Sequence, residues 1–96
     1  MPSAYIIANV TVTNPEQYIE YKKLSTMAAE TYGAEFCARG GAVEVLEGDW
    51  TPDRVVILKF TSVEKAKAYY QSAEYTAAIN ARQGASVMRM VVVEGV

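Results

Sequence analysis

The sequence predicts an α+β fold with element order β-α-β-β-α-β, a four-stranded antiparallel sheet with two helices on one face. Three observations predict it. Four segments are apolar in alternation or in continuous runs of strand length. Two intervening segments carry apolar residues at helical spacing, each behind a capping residue. Glycines and other turn residues separate the six segments, and right-handed connections of the split βαβ type place both helices on the same side of the sheet.

From Tyr5 to Val12, Ile6, Ala8, Val10 and Val12 alternate with Tyr5, Ile7, Asn9 and Thr11, the period-two signature of a strand whose first set faces a core. Asn14-Pro15-Glu16-Gln17 supplies an N-cap, a proline at the first helical position and a glutamine able to reach back to the free backbone N–H. In the helix that follows, Tyr18, Tyr21, Leu24, Ala28 and Tyr32 form one stripe, and Gly33 supplies the left-handed stop. Phe36 to Leu46 reads as a second extended segment that bends or bulges at Gly40-Gly41, and Glu47 to Asp53 reads as a loop. Arg54 to Phe60, apolar on both alternating faces, is expected to be a central strand.

Ser62 caps a second helix whose buried stripe is Val63, Ala66, Tyr69 and Tyr70. Ser72 followed by Glu74 predicts a fresh cap, and with it a break before Tyr75, Ala78 and Ile79; Gly84 ends the helical region. Val87 to Glu94 closes the sheet.

A chain of 96 residues accommodates one domain, expected to span residues 1–96. With 51% hydrophobic and 21% charged residues it is too apolar for disorder and too interrupted by charge for a membrane span. Nine Lys and Arg against eleven Asp and Glu give a net charge of −2, which argues against nucleic acid and anionic membrane as partners. The absence of histidine removes His-dependent catalysis and most imidazole metal sites, and the single Cys37 permits no internal disulfide or thiolate cluster. No motif calls for a metal or a cofactor. The start Met1-Pro2-Ser3-Ala4 lacks the basic and apolar regions of a signal peptide, so a cytoplasmic location is expected.

The sheet face away from the helices carries Tyr5, Ile7, Val55 and Ile57, where a solvated face reads polar. A second copy packed on it would remove this surface from water, which predicts a homodimer. Asn9, Lys59 and Arg89 share that face and have two readings. They are either polar groups of a small-molecule site with mostly apolar walls or residues reaching water at strand ends.

Several motifs together resemble the bacterial family catalogued as domain of unknown function 1330, of the dimeric α+β barrel superfamily. They are Asn14-Pro15-Glu16-Gln17-Tyr18, Tyr32-Gly33, Arg39-Gly40-Gly41, Glu47-Gly48-Asp49-Trp50, Ser72-Ala73-Glu74-Tyr75, Arg82-Gln83-Gly84-Ala85 and Val93-Glu94-Gly95, spread over essentially the whole chain. Asn14 stands where the family more often has aspartate, and either residue caps a helix. The resemblance implies a ferredoxin-like fold and a homodimer, and it carries no catalytic assignment.

Arg39, ahead of two glycines, is either an anion contact with backbone N–H groups beside it or a structural residue paired with Glu44 or Glu47. Trp50 either walls a pocket or anchors its loop on a partner subunit. Tyr18, Tyr21, Tyr32, Tyr69 and Tyr75 are explained by packing, whereas Tyr5 lies on the other face beside Asn9. Cys37 lacks the histidine that would make it a nucleophile, and Arg82 suits the negative end of a helix dipole. Nothing distinguishes Glu44, Glu47 or Glu94 as a general base.

The leading expectation is a homodimer that binds a small, partly apolar, acidic molecule between sheet and helices or at the dimer seam. Arg39, Asn9, Trp50 and Tyr5 are its candidate ligand-binding residues. One alternative, by analogy with the superfamily, is a cofactor-independent monooxygenase, isomerase or decarboxylase acting on an aromatic or polyketide-like compound. Another is a structural dimer without a ligand.

Overall fold

A computed structural model of the chain describes residues 2–96, so Met1, where the expectation about a leader begins, lies outside the described residues. Its elements are β1 (Ala4–Val12), α1 (Pro15–Thr31), β2 (Glu35–Arg39), β3 (Val55–Phe60), α2 (Val63–Gln71), α3 (Ala73–Ala81) and β4 (Ser86–Glu94). The strands form one antiparallel sheet in the order β2-β3-β1-β4, and β3 is central as its two-faced apolar run predicts. No described helix is long and apolar enough to cross a membrane.

Alternation in β1 decides what each face of the sheet does. Ala4, Ile6, Ala8 and Val10 are buried under the helices. The core joins them to Leu58 and Phe60 of β3, to Tyr18, Tyr21, Ala28 and Ala29 of α1, and to Ala66, Tyr69, Tyr75 and Ala78 of α2 and α3. The alanines let the helices approach the sheet closely, and the tyrosine rings fill the space between. On the other face, Tyr5 stands opposite Lys59 and Val93, Ile7 opposite Ile57 and Val91, and Asn9 opposite Val55 and Arg89. No helix covers these side chains, and Val87, Val91 and Val93 stay exposed.

The start of α1 follows the sequence in one half of its cap. Asn14 Oδ1 accepts from the Gln17 backbone N–H at 3.2 Å. The Gln17 side chain, expected to return the favour, instead donates to the carbonyls of Ala81 at 3.0 Å and Gln83 at 2.7 Å, tying α1 to the end of α3. The Asn14 N–H is satisfied by the Ala85 carbonyl at 3.0 Å. A partner from a distant turn has displaced the local capping box.

The second extended segment is shorter than expected. β2 ends at Arg39, residues 40–54 contain no strand, and the bulge falls at Cys37, between Phe36 and Ala38, rather than at the glycines. The cause lies at Gly40, whose φ of +77° is open to glycine and disfavoured for other residues. Gly40 donates to Val55 at 2.9 Å as the last rung of the β2–β3 ladder, and the chain then turns away. Val43, Val45 and Leu46, apolar in a strand-like spacing, consequently have no neighbour in the sheet and remain exposed.

The break at Ser72 is present and divides the second crossover into two nine-residue helices, so the sheet carries three helices rather than two. Ser72 Oγ donates to the Tyr69 carbonyl at 2.7 Å and accepts from the Tyr75 N–H at 3.0 Å. One hydroxyl thus closes α2 and opens α3. Tyr70, expected within the buried stripe, is exposed.

Candidate functional site

Four tyrosines from three helices converge beneath the sheet. Tyr18 and Tyr21 are one helical turn apart on α1, their ring centroids 5.0 Å apart. Tyr69 of α2 and Tyr75 of α3 pack against each other at 4.8 Å with their planes tilted by 41°, and Tyr75 meets Tyr21 edge-on at 6.2 Å. The Tyr21 and Tyr75 hydroxyls share a hydrogen bond of 2.7 Å, with the Met88 sulfur 3.9 Å from Tyr21 Oη. These rings leave an interior cavity of only about 30 Å³ between helices and sheet. The volume suits a water or a small polar group rather than a whole ligand.

Arginines surround the cluster. Arg54, at the entrance to β3, lies 6.0 Å from the Tyr18 ring centroid, and Arg82, which caps α3, lies 5.5 Å from that of Tyr21. Arg39 stacks on Phe36 at 4.2 Å and donates to Thr26 Oγ1 at 2.5 Å and to the Lys22 carbonyl at 3.3 Å. Arg54 Nε and Arg82 Nε are buried without a hydrogen-bond partner. Gly40 explains how Arg54 gets there: the guanidinium lies directly against the Gly40 backbone, in the space a Cβ would occupy. The Arg39-Gly40-Gly41 motif therefore positions two guanidiniums, one by carrying it and one by making room for it.

Burial pushes the phenols of Tyr18, Tyr21, Tyr69 and Tyr75 above the ordinary tyrosine value. Tyr21 is raised further by its neighbour Tyr75, while Arg54 opposes the rise at Tyr18 and Arg82 opposes it at Tyr75. All four are neutral hydrogen-bonding groups at neutral pH, beside guanidiniums that stay charged. Such an array has the chemistry to stabilise an anion. It offers no carboxylate to act as a base.

A larger open groove of about 380 Å³ runs between α2 and β4, lined by Ala66, Lys67, Tyr70, Gln71, Arg82, Met88, Met90, Val91 and Val92, with Ile6 at its floor. Ile6, Met88 and Met90 also line the interior cavity, so the two spaces share a wall. Of the chain's nine Lys and Arg, five line these spaces: Lys22, Arg39, Arg54, Lys67 and Arg82. None of its eleven Asp and Glu does.

The residues singled out in the sequence fall in three places. Arg39 lines the interior cavity, with its hydrogen-bond partners on α1, whereas Glu44 and Glu47 lie in the exposed loop. Asn9 and Tyr5 are on the opposite side of the sheet; Asn9 Oδ1 is buried and unpartnered, and the Tyr5 ring packs against Gly95. Trp50 is exposed in the 40–54 loop. Arg39 is thus separated from the other three. Cys37 is free and exposed at the bulge, and no described group of three or more His, Cys, Asp or Glu has the arrangement of a metal site. The cluster of tyrosines and arginines escaped the sequence argument because packing already accounted for the tyrosines. Its one legible signal was charge: Arg54 and Arg82 stand at element ends, next to stripes rich in tyrosine.

The family described as domain of unknown function, DUF1330, matches residues 3–96. The chain belongs to this family. Among solved structures, this DUF1330 protein is similar to a protein of unknown function from Rhodopseudomonas palustris, with a TM-score of 0.77 and 21% identity over 99% of this chain and 83% of that one. SnoaB, a cofactor-independent oxygenase from Streptomyces nogalater, has a TM-score of 0.56 and 10% identity over 97% of this chain and 92% of its own. A dimeric protein of unknown function with a ferredoxin-like fold, from Bacteroides fragilis, has a TM-score of 0.54 and 14% identity over 97% and 95%. These likenesses establish the ferredoxin-like α+β fold for the DUF1330 chain. No curated protein matches it.

Proposed function

We propose that this protein is a cytoplasmic homodimer that binds a small, partly apolar anion, such as a carboxylate, across the small interior cavity and the groove that adjoins it. One observation carries the reading: a chain of net charge −2 lines its interior cavity and adjoining groove with five cations and no acid. Apolar walls with a few convergent polar groups are the usual make-up of a small-molecule site. Arg39 and Arg54 hold the anion together with Arg82, while the protonated tyrosines donate hydrogen bonds. A second copy covers Tyr5, Ile7, Val91 and Val93; Asn9 lies in that seam and Trp50 anchors its loop on the partner.

The test is a thermal-shift series with aromatic and aliphatic carboxylates and their uncharged amides. A bound carboxylate at about 100 times its Kd should stabilise the fold by about 2.7 kcal/mol, and the amides should not. Stabilisation by neither class would remove the anion site.

The Tyr21–Tyr75 hydroxyl pair favours a second reading, a cofactor-independent enzyme acting on an aromatic or polyketide-like compound. Two phenols kept protonated beside Arg82 can donate to a developing oxyanion. Under that reading Tyr75→Phe should lower turnover far more than binding; equal losses would leave a binding protein.

A further inference from the structure

The groove at the β4 edge exists because α2 stops short of covering its strand. Val92 points to the same side of the sheet as its register partner Ile6, yet Ile6 is 3% exposed and Val92 38%. Tyr70, across the groove on α2, is likewise exposed. This is an apolar slot, open to solvent and about a dozen water volumes in size. Arg82 lines the slot and also lies against the Tyr21 ring, with a buried Nε that has no partner. Lys67 is the only other charged residue on its walls.

We infer that the ligand is an amphipathic monocarboxylate whose head meets Arg82 beside the Tyr21 and Tyr75 hydroxyls and whose hydrocarbon tail lies in the α2–β4 groove. The assignment rests on the anion-binding reading above and adds the chemistry of the tail and its direction. A purely polar anion would leave Tyr70, Met90 and Val92 in water. A neutral apolar molecule would leave the Arg82 Nε buried and unpaired, which is costly. Met88 and Met90 form the wall shared with the interior cavity, and their unbranched side chains can adjust to tails of different thickness.

Calorimetric titration with straight-chain alkanoates of increasing length, and with the matching alcohols, tests the assignment. Affinity should rise about fourfold per methylene until the groove is full, following the transfer free energy of a CH₂ group. Arg82→Gln should weaken every alkanoate tenfold or more and leave the alcohols unchanged. Val92→Trp, and independently Gln71→Trp on the opposite wall, should abolish the gain with length while retaining the affinity for the shortest carboxylates. A length dependence untouched by both tryptophans, or no length dependence at all, would overturn the tail assignment and leave the anion site standing. If no carboxylate of any length binds, the anion site itself fails and the tail assignment with it.

Discussion

Replacing Tyr75 by phenylalanine keeps the ring that packs on Tyr69 at 4.8 Å and removes only the hydroxyl that meets Tyr21 at 2.7 Å. Tyr21 Oη then retains only the Met88 sulfur at 3.9 Å, a weak acceptor, inside the core. Losing a neutral hydrogen bond costs about 1 kcal/mol, and leaving its partner buried without one raises the total to about 1–3 kcal/mol. For a chain of 96 residues, whose expected stability is about 5–14 kcal/mol, that loss is large. Tyr21→Phe should cost a similar amount. The double variant should cost clearly less than the sum of the two, by about 1 kcal/mol, because no hydroxyl is then stranded. Urea unfolding followed by far-UV circular dichroism measures all three; Trp50 fluorescence is a poor probe because the indole is 63% exposed in a loop. With an m-value of about 1–3 kcal/mol/M, each single variant should move the midpoint by about 1 M. Strictly additive costs would show that the two hydroxyls do not act as a pair.

Gly40→Ala should destabilise by about 1–2 kcal/mol through its left-handed backbone alone. It should also weaken carboxylate binding by displacing Arg54, whereas Gly41→Ala, with open space around it, should do neither; urea midpoints and calorimetry check both. Tyr21, Tyr69 and Tyr75 keep their protons in the folded state above pH 10.0, where an unfolded chain releases them. Stability should therefore be complete below about pH 10 and fall by about 1.4 kcal/mol per pH unit for each phenol as pH climbs toward the folded values. Urea midpoints measured across that range should decline, and a flat profile would contradict the burial of the phenols. If a second copy covers the open sheet face, Val91→Glu should turn the dimer seen by sedimentation into a monomer; a wild-type monomer at micromolar concentration would show the face to be solvated.

Most of the architecture was legible because it depends on local chemistry. The β1 alternation, the Asn14 cap, the Gly33 stop and the Ser72 break each need only a few neighbouring residues to be read. The turn at Gly40 was legible from the glycine pair, but the loss of strand beyond it was not, nor was the Arg54 guanidinium resting on Gly40 from fourteen positions away in sequence. The same holds for Gln17, drawn from its own cap to the carbonyls of Ala81 and Gln83. At the site, helical spacing correctly placed Tyr18, Tyr21, Tyr69 and Tyr75 in the core. It carried no information about the guanidiniums that close over them, because Arg39, Arg54 and Arg82 come from three separate element ends.

The serine between α2 and α3 works as an angular adaptor. Side chains six positions apart on an unbroken helix diverge by about 120°, so Tyr69 and Tyr75 would point away from each other. Interrupting the helix for a single residue resets the rotational phase, and both rings turn inward and meet. Smoothing this junction into one continuous rod would swing one phenol out to water and dismantle the aromatic floor against which the guanidiniums lie.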